Sequence, residues 1–474
     1  MSQLRLIAVF VAAGFVAAQS RLTPGLGQFI SVDAPTVALT HVRVIDGTGS
    51  APKTDQTIVI DHGKIQLVGS ASIVTAPAGA KIMDLHGYTV IPGFVGMHEH
   101  LFYPSGAGIP LYNEHGFSFP RLYLATGVTT ARTGGSLEPY TDLSVKKLID
   151  SGRMPGPKMY ITGPYLEGPG AFAPQQHELD GAEDARKLVE YWAGLGVTSF
   201  KAYMHITRDE LAAAIAAAHK RRIQVTGHLC SIGFREAAAI GIDNLEHGLM
   251  VDTEFVPGKK PDVCPSQAET ATVMAKLDIA GTPVREMIRD LVQHRVAITS
   301  TLAVFEASAP GRPPLQQRML DVMAPEAAVS YLSAKARSAE NPNAGRVELL
   351  KKEMQFELAF AKAGGLLMAG ADPTGNGGAL AGFADQRNIE LLVEAGFTPA
   401  EAIQIASYNA AKFLGEADKI GAVQEGKQAD LVVIEGDPAS RISDIEKVKL
   451  VFKDGVGYDS AKLIESVRGA VGLH

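Results

Sequence analysis

Cysteine is nearly missing from this chain: Cys230 and Cys264 are the only two in 474 residues. Two are too few for a disulfide framework or a cysteine-based zinc set, and Cys230, just past His228, reads as a small buried hydrophobe. Positive charge is not in excess either, with 44 Lys and Arg against 51 Asp and Glu and a net charge of -7. With no dense basic run, the chain carries no electrostatic footprint for nucleic acid. Three familiar catalytic signatures are missing: "HEHLF" lacks the second histidine of HExxH, and neither a P-loop nor a G-x-S-x-G elbow occurs. Only one long apolar run exists, Leu6 to Ala18, preceded by Arg5 and ending in the small residues Val16 and Ala18. It falls short of the roughly 20 apolar residues a membrane span needs, so residues 1–18 read as a secretory signal. The expectation is an exported chain, periplasmic or secreted, with no stable membrane anchor. What is present is ordinary for a folded soluble protein, 46% hydrophobic and 20% charged, with length enough for a large core and an accessory domain.

Two textures alternate along the sequence. Short β-rich runs punctuated by Asp-Gly, His-Gly and Gly-Ser fill the first part ("VALTHVRVIDG", "TIVIDHGKIQLVG", "KIMDLHGYTVIPG") and return near the C-terminus ("GAVQEGKQADLVVIEGD", "KVKLVFKDGVGYD"). They predict one small β-sandwich domain assembled from residues 36–92 and 415–460. Between them, over 93–414, eight apolar strand candidates alternate with amphipathic stretches such as "TRDELAAAIAAAHKRR". Strand–helix alternation implies parallel βαβ units, and eight of them predict an α/β fold of the (β/α)8 TIM-barrel type; a doubly wound open sheet is the alternative. Two long Pro- and Gly-rich connections, from Pro164 to Gly181 and from Glu306 to Pro342, would lie at the C-terminal face of such a barrel, the second as a lid or as a plain surface elaboration.

Polar residues fall at the ends of these strands. His98 and His100 stand two apart at the end of the first, so both imidazoles face one side. Lys201 ends the fourth strand, His228 the fifth, His247 the sixth and Asp372 the eighth. Each buried polar group costs about 2–7 kcal/mol when unsatisfied, so the six must satisfy one another. A shared metal is the natural partner, and imidazole nitrogen with carboxylate oxygen suits Zn²⁺ or a similar divalent ion. Around them, Tyr203 shares the strand parity of Lys201 and is a candidate oxyanion donor or a packing aromatic. His177, in the loop after the third strand, and Arg235, with its bidentate fork, are candidate substrate contacts.

The segments "VIPGFVGMHEHL", "GVTSFKAY", "VTGHL", "NLEHG" and "MAGAD" resemble the metal-ligand segments of the amidohydrolase superfamily. "GKQADLVVIEGDP" and "IDGTG" are similar to strands of that superfamily's accessory β-domain. The likeness is nearest to the branch holding imidazolonepropionase-like proteins and Xaa-Pro or Xaa-Lys/Arg dipeptidases. It implies two divalent metal ions, zinc among the candidates: one on His98, His100 and Asp372, the other on His228 and His247, with Lys201 bridging them as a carboxylated lysine. Asp372 would also move a proton in catalysis, and the chain would form a homo-oligomer. One departure is visible: after Asp372 the sequence runs "PTGNGGALAG" with no histidine, where several dipeptidase relatives carry a His-Gly segment.

The expected function is therefore hydrolysis of the amide bond of a small molecule, a dipeptide or N-acyl amino acid, by a metal-bridging hydroxide. The second reading is opening of a cyclic amide or lactam, or cleavage of another non-peptide amide, at the same centre. A third, from a different class, is a metal-free binding protein on the same scaffold; it would be marked by lost ligands, and all six are present.

Overall fold

A computed structural model describes residues 23–105, 111–340, 344–374 and 378–472, so the secretory segment read at 1–18 lies outside the described residues. One nine-stranded sheet gathers both ends of the chain. Its N-terminal strands include Thr36–Val44, Lys53–Asp61 and Tyr88–Pro92, and its C-terminal strands are Leu431–Glu435, Val448–Lys453 and Val456–Asp459. The seam is antiparallel, with Leu431 opposite Pro92 and Glu435 opposite Tyr88. Alternating apolar residues from these strands, among them Val37, Leu39, Ile58, Val90, Leu431 and Phe452, share one buried cluster. The β-rich runs of both chain ends thus meet in one nine-stranded sheet, where their apolar faces are buried together.

The middle of the chain forms parallel strands in two arcs. Phe94–Glu99, Val128–Thr133 and Lys158–Tyr160 make a three-stranded arc; Thr162–Leu166, Ser199–Ala202, Gln224–Gly227, Asn244–Glu246, Ala297–Ser300 and Leu367–Ala369 make a six-stranded one. The ladder breaks at Ile161, where the Thr162 N–H donates to Thr133 Oγ1 at 2.8 Å. At the opposite ends the arcs meet again, with the Asp372 N–H donating to the His98 carbonyl at 2.8 Å. Most of these strands are buried along their whole length, as expected of parallel strands covered on both faces. Helices fill the connections. Arg208–Lys220 starts at a capping box of Thr207 and Glu210 and buries Leu211, Ala214, Ile215 and Ala218.

Several connections carry extra structure. The stretch after Pro164 is tied back by Glu178, which accepts the Gly170 and Ala171 N–H groups at 2.8 and 3.0 Å. The connection from Glu306 onward holds helices Gln317–Val322 and Pro325–Glu340. Phe102–Ser105 and Leu111–Glu114 pair as a hairpin. The excursion after Asn244–Glu246 returns across the neighbouring strand end, where Cys264 forms a disulfide with Cys230, Cα atoms 4.9 Å apart. Cys230 is buried, as expected, but it is half of a disulfide and not simply a small hydrophobe, and the Thr253 hydroxyl donates to its carbonyl. Among the described residues no helix is long and apolar enough to cross a membrane.

Candidate metal centre

His98 and His100 leave the end of Phe94–Glu99 on one side, while Glu99 between them turns away and accepts the Ala371 N–H at 3.2 Å. Each imidazole is oriented through its Nδ1. His98 Nδ1 meets Glu246 Oε2 at 2.8 Å, and His100 Nδ1 meets the Gly135 carbonyl at 3.1 Å. Both Nε2 atoms therefore point inward, His98 Nε2 lying 3.7 Å and His100 Nε2 3.3 Å from Asp372 Oδ1. Tetrahedral ligands about 2.1 Å from a zinc ion stand about 3.4 Å apart, so these spacings fit a common cation. The donor atoms of His98, His100 and Asp372 all lie within 4.8 Å of one another.

The other expected residues converge on this trio. Lys201 Nζ is 2.9 Å from His98 Nε2, on a side chain that is fully buried. The His247 ring is 4.6 Å from His98 and 4.5 Å from His228, centroid to centroid. His247 Nδ1 contacts Thr301 Oγ1 at 2.7 Å. Tyr203 packs on His228 with ring centroids 4.7 Å apart, and Lys201 Nζ sits 5.7 Å from the Tyr203 ring. His247 and Asp372 both hold left-handed backbone, φ 69° and 45°. Each such residue costs about 1–3 kcal/mol, and strain of this kind persists where the surroundings over-determine the geometry.

Electrostatics leave the cluster as metal ligands need to be. Burial pushes His100 down to about 4 and His228 down to about 3, and drives His247 well below the usual imidazole range, so all three are neutral near pH 7. Burial also lowers the Lys201 ammonium to about 8, against the pull of Glu246 and Asp372. Burial alone would raise Asp372, but His98, His100 and His247 around it hold the carboxyl well below its ordinary value. Burial, then Asp372, raises the Tyr203 phenol, which stays a donor. One wall is aromatic: Phe102 packs on His100 at 4.3 Å, and Tyr165, Phe172 and Tyr203 stack edge to face or tilted within 5.6 Å of each other.

Two expected substrate contacts are not in this cluster. His177 Nε2 pairs with Asp184 at 2.7 Å on a half-exposed side chain, and Arg235 pairs with Glu254 at 2.7 Å, also half-exposed. Each is engaged by a neighbouring carboxylate instead of facing the histidines. Conversely, the sequence reading missed what orients the ligands. Glu246 accepts from Arg132 Nη2 at 2.7 Å as well as facing His98, and the Tyr123 hydroxyl accepts the His100 N–H at 3.1 Å and lies 2.9 Å from its carbonyl. A signal existed: Arg132 is a charge inside the apolar run "GVTTART", and a buried guanidinium demands a carboxylate.

Comparison with known proteins agrees with this geometry. The model of the Amidohydrolase family matches residues 89–456. A bottromycin amidohydrolase structure is similar with TM-score 0.68 and 21% identity, covering 95% of this chain and 94% of that one. A Xaa-Pro dipeptidase with methionine bound in its active site is similar with TM-score 0.67 and 20% identity, covering 90% and 100%. The ochratoxinase of A. niger gives 0.64 and 18%, covering 93% and 100%. At these identities the likeness establishes the fold. An N-substituted formamide deformylase of Arthrobacter pascens is 35% identical over 63 residues, 13% of this chain and only 11% of that protein's length. With the family model spanning the strands that carry every candidate ligand, the chain belongs to the Amidohydrolase family and is a metal-dependent hydrolase of amide C–N bonds.

Proposed function

We propose that this enzyme is exported and cleaves the amide bond of a small carboxylate-bearing molecule, a dipeptide or an N-acyl amino acid. The observation that carries the reading is the convergence of His98, His100 and Asp372 donor atoms beside Lys201, His228 and His247. The two parallel arcs, abutting at both ends, are read as one (β/α)8 barrel over 93–414, and the composite sheet as a domain of 36–92 and 415–460. The Cys230–Cys264 disulfide supports export, since such bonds persist in oxidising compartments.

His98, His100 and Asp372 would hold one divalent cation and His228 and His247 a second, zinc by the chemistry of the donors. Lys201, with its ammonium lowered by burial to about 8, would give up its proton and add CO₂ to form a carbamate, an anionic ligand for the metal site. Bound there, the cations would supply Lewis acidity and an acidified water. The chain's own groups do the rest. Asp372, held ionised at the mouth of the cluster, can take a proton from the attacking water and pass it to the leaving nitrogen. The Tyr203 hydroxyl can donate to the oxygen that gains negative charge. The aromatic wall of Phe102, Tyr165 and Phe172 keeps bulk water from the reacting bond. The fold likeness to a Xaa-Pro dipeptidase supports a substrate with a free carboxylate; loss of the His-Gly segment after Asp372 argues for a pocket of different selectivity.

The test is turnover by mature protein prepared with zinc and bicarbonate, against dipeptides, N-acyl amino acids and lactams, with Asp372→Asn as control. Turnover of carboxylate-bearing amides that disappears in the control supports the proposal. Turnover of lactams or neutral amides alone replaces it with the cyclic-amide reading. Tyr203→Phe is expected to lower kcat about 100-fold at unchanged metal content.

A further inference from the structure

A cavity of about 460 Å³ away from the histidine cluster lies in the connection after Ala297–Ser300. Helix Leu302–Glu306 leads to it from Thr301, the partner of His247. Five helical residues advance about 7–8 Å, and Ala307 and Ser308 at the helix end line the cavity. Among the described residues its wall includes Arg312, Lys335, Arg337 and Arg346 and no carboxylate.

These four cations are not equivalent. Arg312 is neutralised by Glu306 at 2.7 Å and Glu394 at 2.6 Å, and acts as scaffold. Lys335 and Arg346 reach only carbonyl oxygens, those of Pro313 and Ser308. Among the described residues none of Lys335, Arg337 and Arg346 forms a salt bridge within 4 Å; Glu306, already bound to Arg312, acts on Lys335 only at longer range. Tyr331 sits in the same wall, is 3% exposed, and its buried hydroxyl has no hydrogen-bond partner. A buried hydroxyl left unpaired is costly, and it belongs to a wall that also carries Lys335, Arg337 and Arg346.

We propose that this cavity binds the oxyanion group, carboxylate or phosphate, of a small molecule, with Lys335, Arg337 and Arg346 as its counter-charges and the Tyr331 hydroxyl as a donor. Guanidinium forks match both groups through paired N–H donors. The oxyanion can be the far end of the substrate, lying one short helix from the histidines, or a separate small molecule; only the first alternative rests on the amide-hydrolase reading above.

The test is calorimetric titration of the full metal-loaded protein with inorganic phosphate and with succinate. The proteins compared are wild type, Tyr331→Phe, and the double variant Arg337→Gln/Arg346→Gln, whose two positions are exposed and whose fold is checked by circular dichroism. Saturable binding that weakens at least about tenfold in the double variant, and severalfold in Tyr331→Phe, is expected. Equal affinity in wild type and double variant, or no saturable binding in wild type, overturns the proposal. Turnover then separates the sources. Competitive inhibition by phosphate, with KM for acidic substrates raised at least tenfold in the double variant and kcat unchanged, marks the end of the substrate. A change in kcat without competition marks a separate molecule. If no amide is turned over at all, the functional reading fails while the titration still decides the anion site.

Discussion

Replacing Glu246 with glutamine preserves shape and removes one buried charge at the point where the fold supports the metal site. The carboxylate is fully buried and lies between His98 Nδ1 at 2.8 Å and Arg132 Nη2 at 2.7 Å. Arg132 is itself buried, and its other bonds go to the Met97 carbonyl and Asn244 Oδ1, neither of which carries charge. Glu246→Gln therefore leaves a guanidinium without a counter-ion, a cost of about 3–5 kcal/mol. Independently, His98 loses the carboxylate that fixes its tautomer and ring orientation, a change that costs about 10–100-fold in metal affinity. The two effects separate in a second variant. In Glu246→Gln/Arg132→Met no charge is left unpaired, so stability should return most of the way to wild type while metal affinity stays low. Urea unfolding of the apo-protein and zinc competition against a chelator measure the two quantities. Wild-type zinc affinity in Glu246→Gln, or a double variant as unstable as the single, would refute the reasoning.

Three further outcomes are expected. His177→Ala and Arg235→Ala should leave kcat and KM within about twofold of wild type, because both side chains are engaged by Asp184 and Glu254 and surface ion pairs contribute about 0–1 kcal/mol; a tenfold rise in KM would return them to the substrate site. Cys264→Ser should cost about 3–4 kcal/mol by opening a 34-residue closure, seen as a lower unfolding midpoint that reductant abolishes by bringing wild type to the same value. Burial would raise Asp444, but the Asp437 N–H, Lys447 and Arg441 hold its carboxyl at about 2. Its depressed value stabilises the fold by about 2 kcal/mol above the unfolded pKa near 4, and that contribution is lost as pH falls from about 4 to about 2. Asp444→Asn should thus be less stable than wild type at pH 7 and converge with it in acid unfolding below about pH 2.

The cluster of candidate ligands was legible because each is a polar side chain ending an otherwise apolar strand, a local pattern that survives in one dimension. His98 and His100 even disclose their shared face through their spacing of two. What supports them was not legible, since Glu246 lies 148 residues from His98 and 114 from Arg132, and no local rule joins such positions. The disulfide escaped for the same reason: Cys230 and Cys264 meet only because a long excursion returns across a strand end. The pairings of His177 with Asp184 and of Arg235 with Glu254 were not legible, because their sequence context does not disclose the carboxylates beside them. The strand–helix alternation marked the parallel strands in the middle of the chain, but nothing local signals the break at Ile161 or the pairing of Phe102–Ser105 with Leu111–Glu114. In the β-rich ends, turn signals marked the strands, while their gathering into one sheet rests on the Leu431–Pro92 seam.

The central claim is that this cluster binds metal and that the metal is needed for amide cleavage. The most direct measurement is metal content per chain and amide turnover, taken together, before and after chelation and on reconstitution with zinc and bicarbonate. The account predicts two ions per chain in the reconstituted enzyme and fewer in His98→Ala/His100→Ala. Turnover should be lost with the metal, return with it, and stay absent in that variant. Full turnover in chelated protein, or wild-type metal content in the variant, would contradict it.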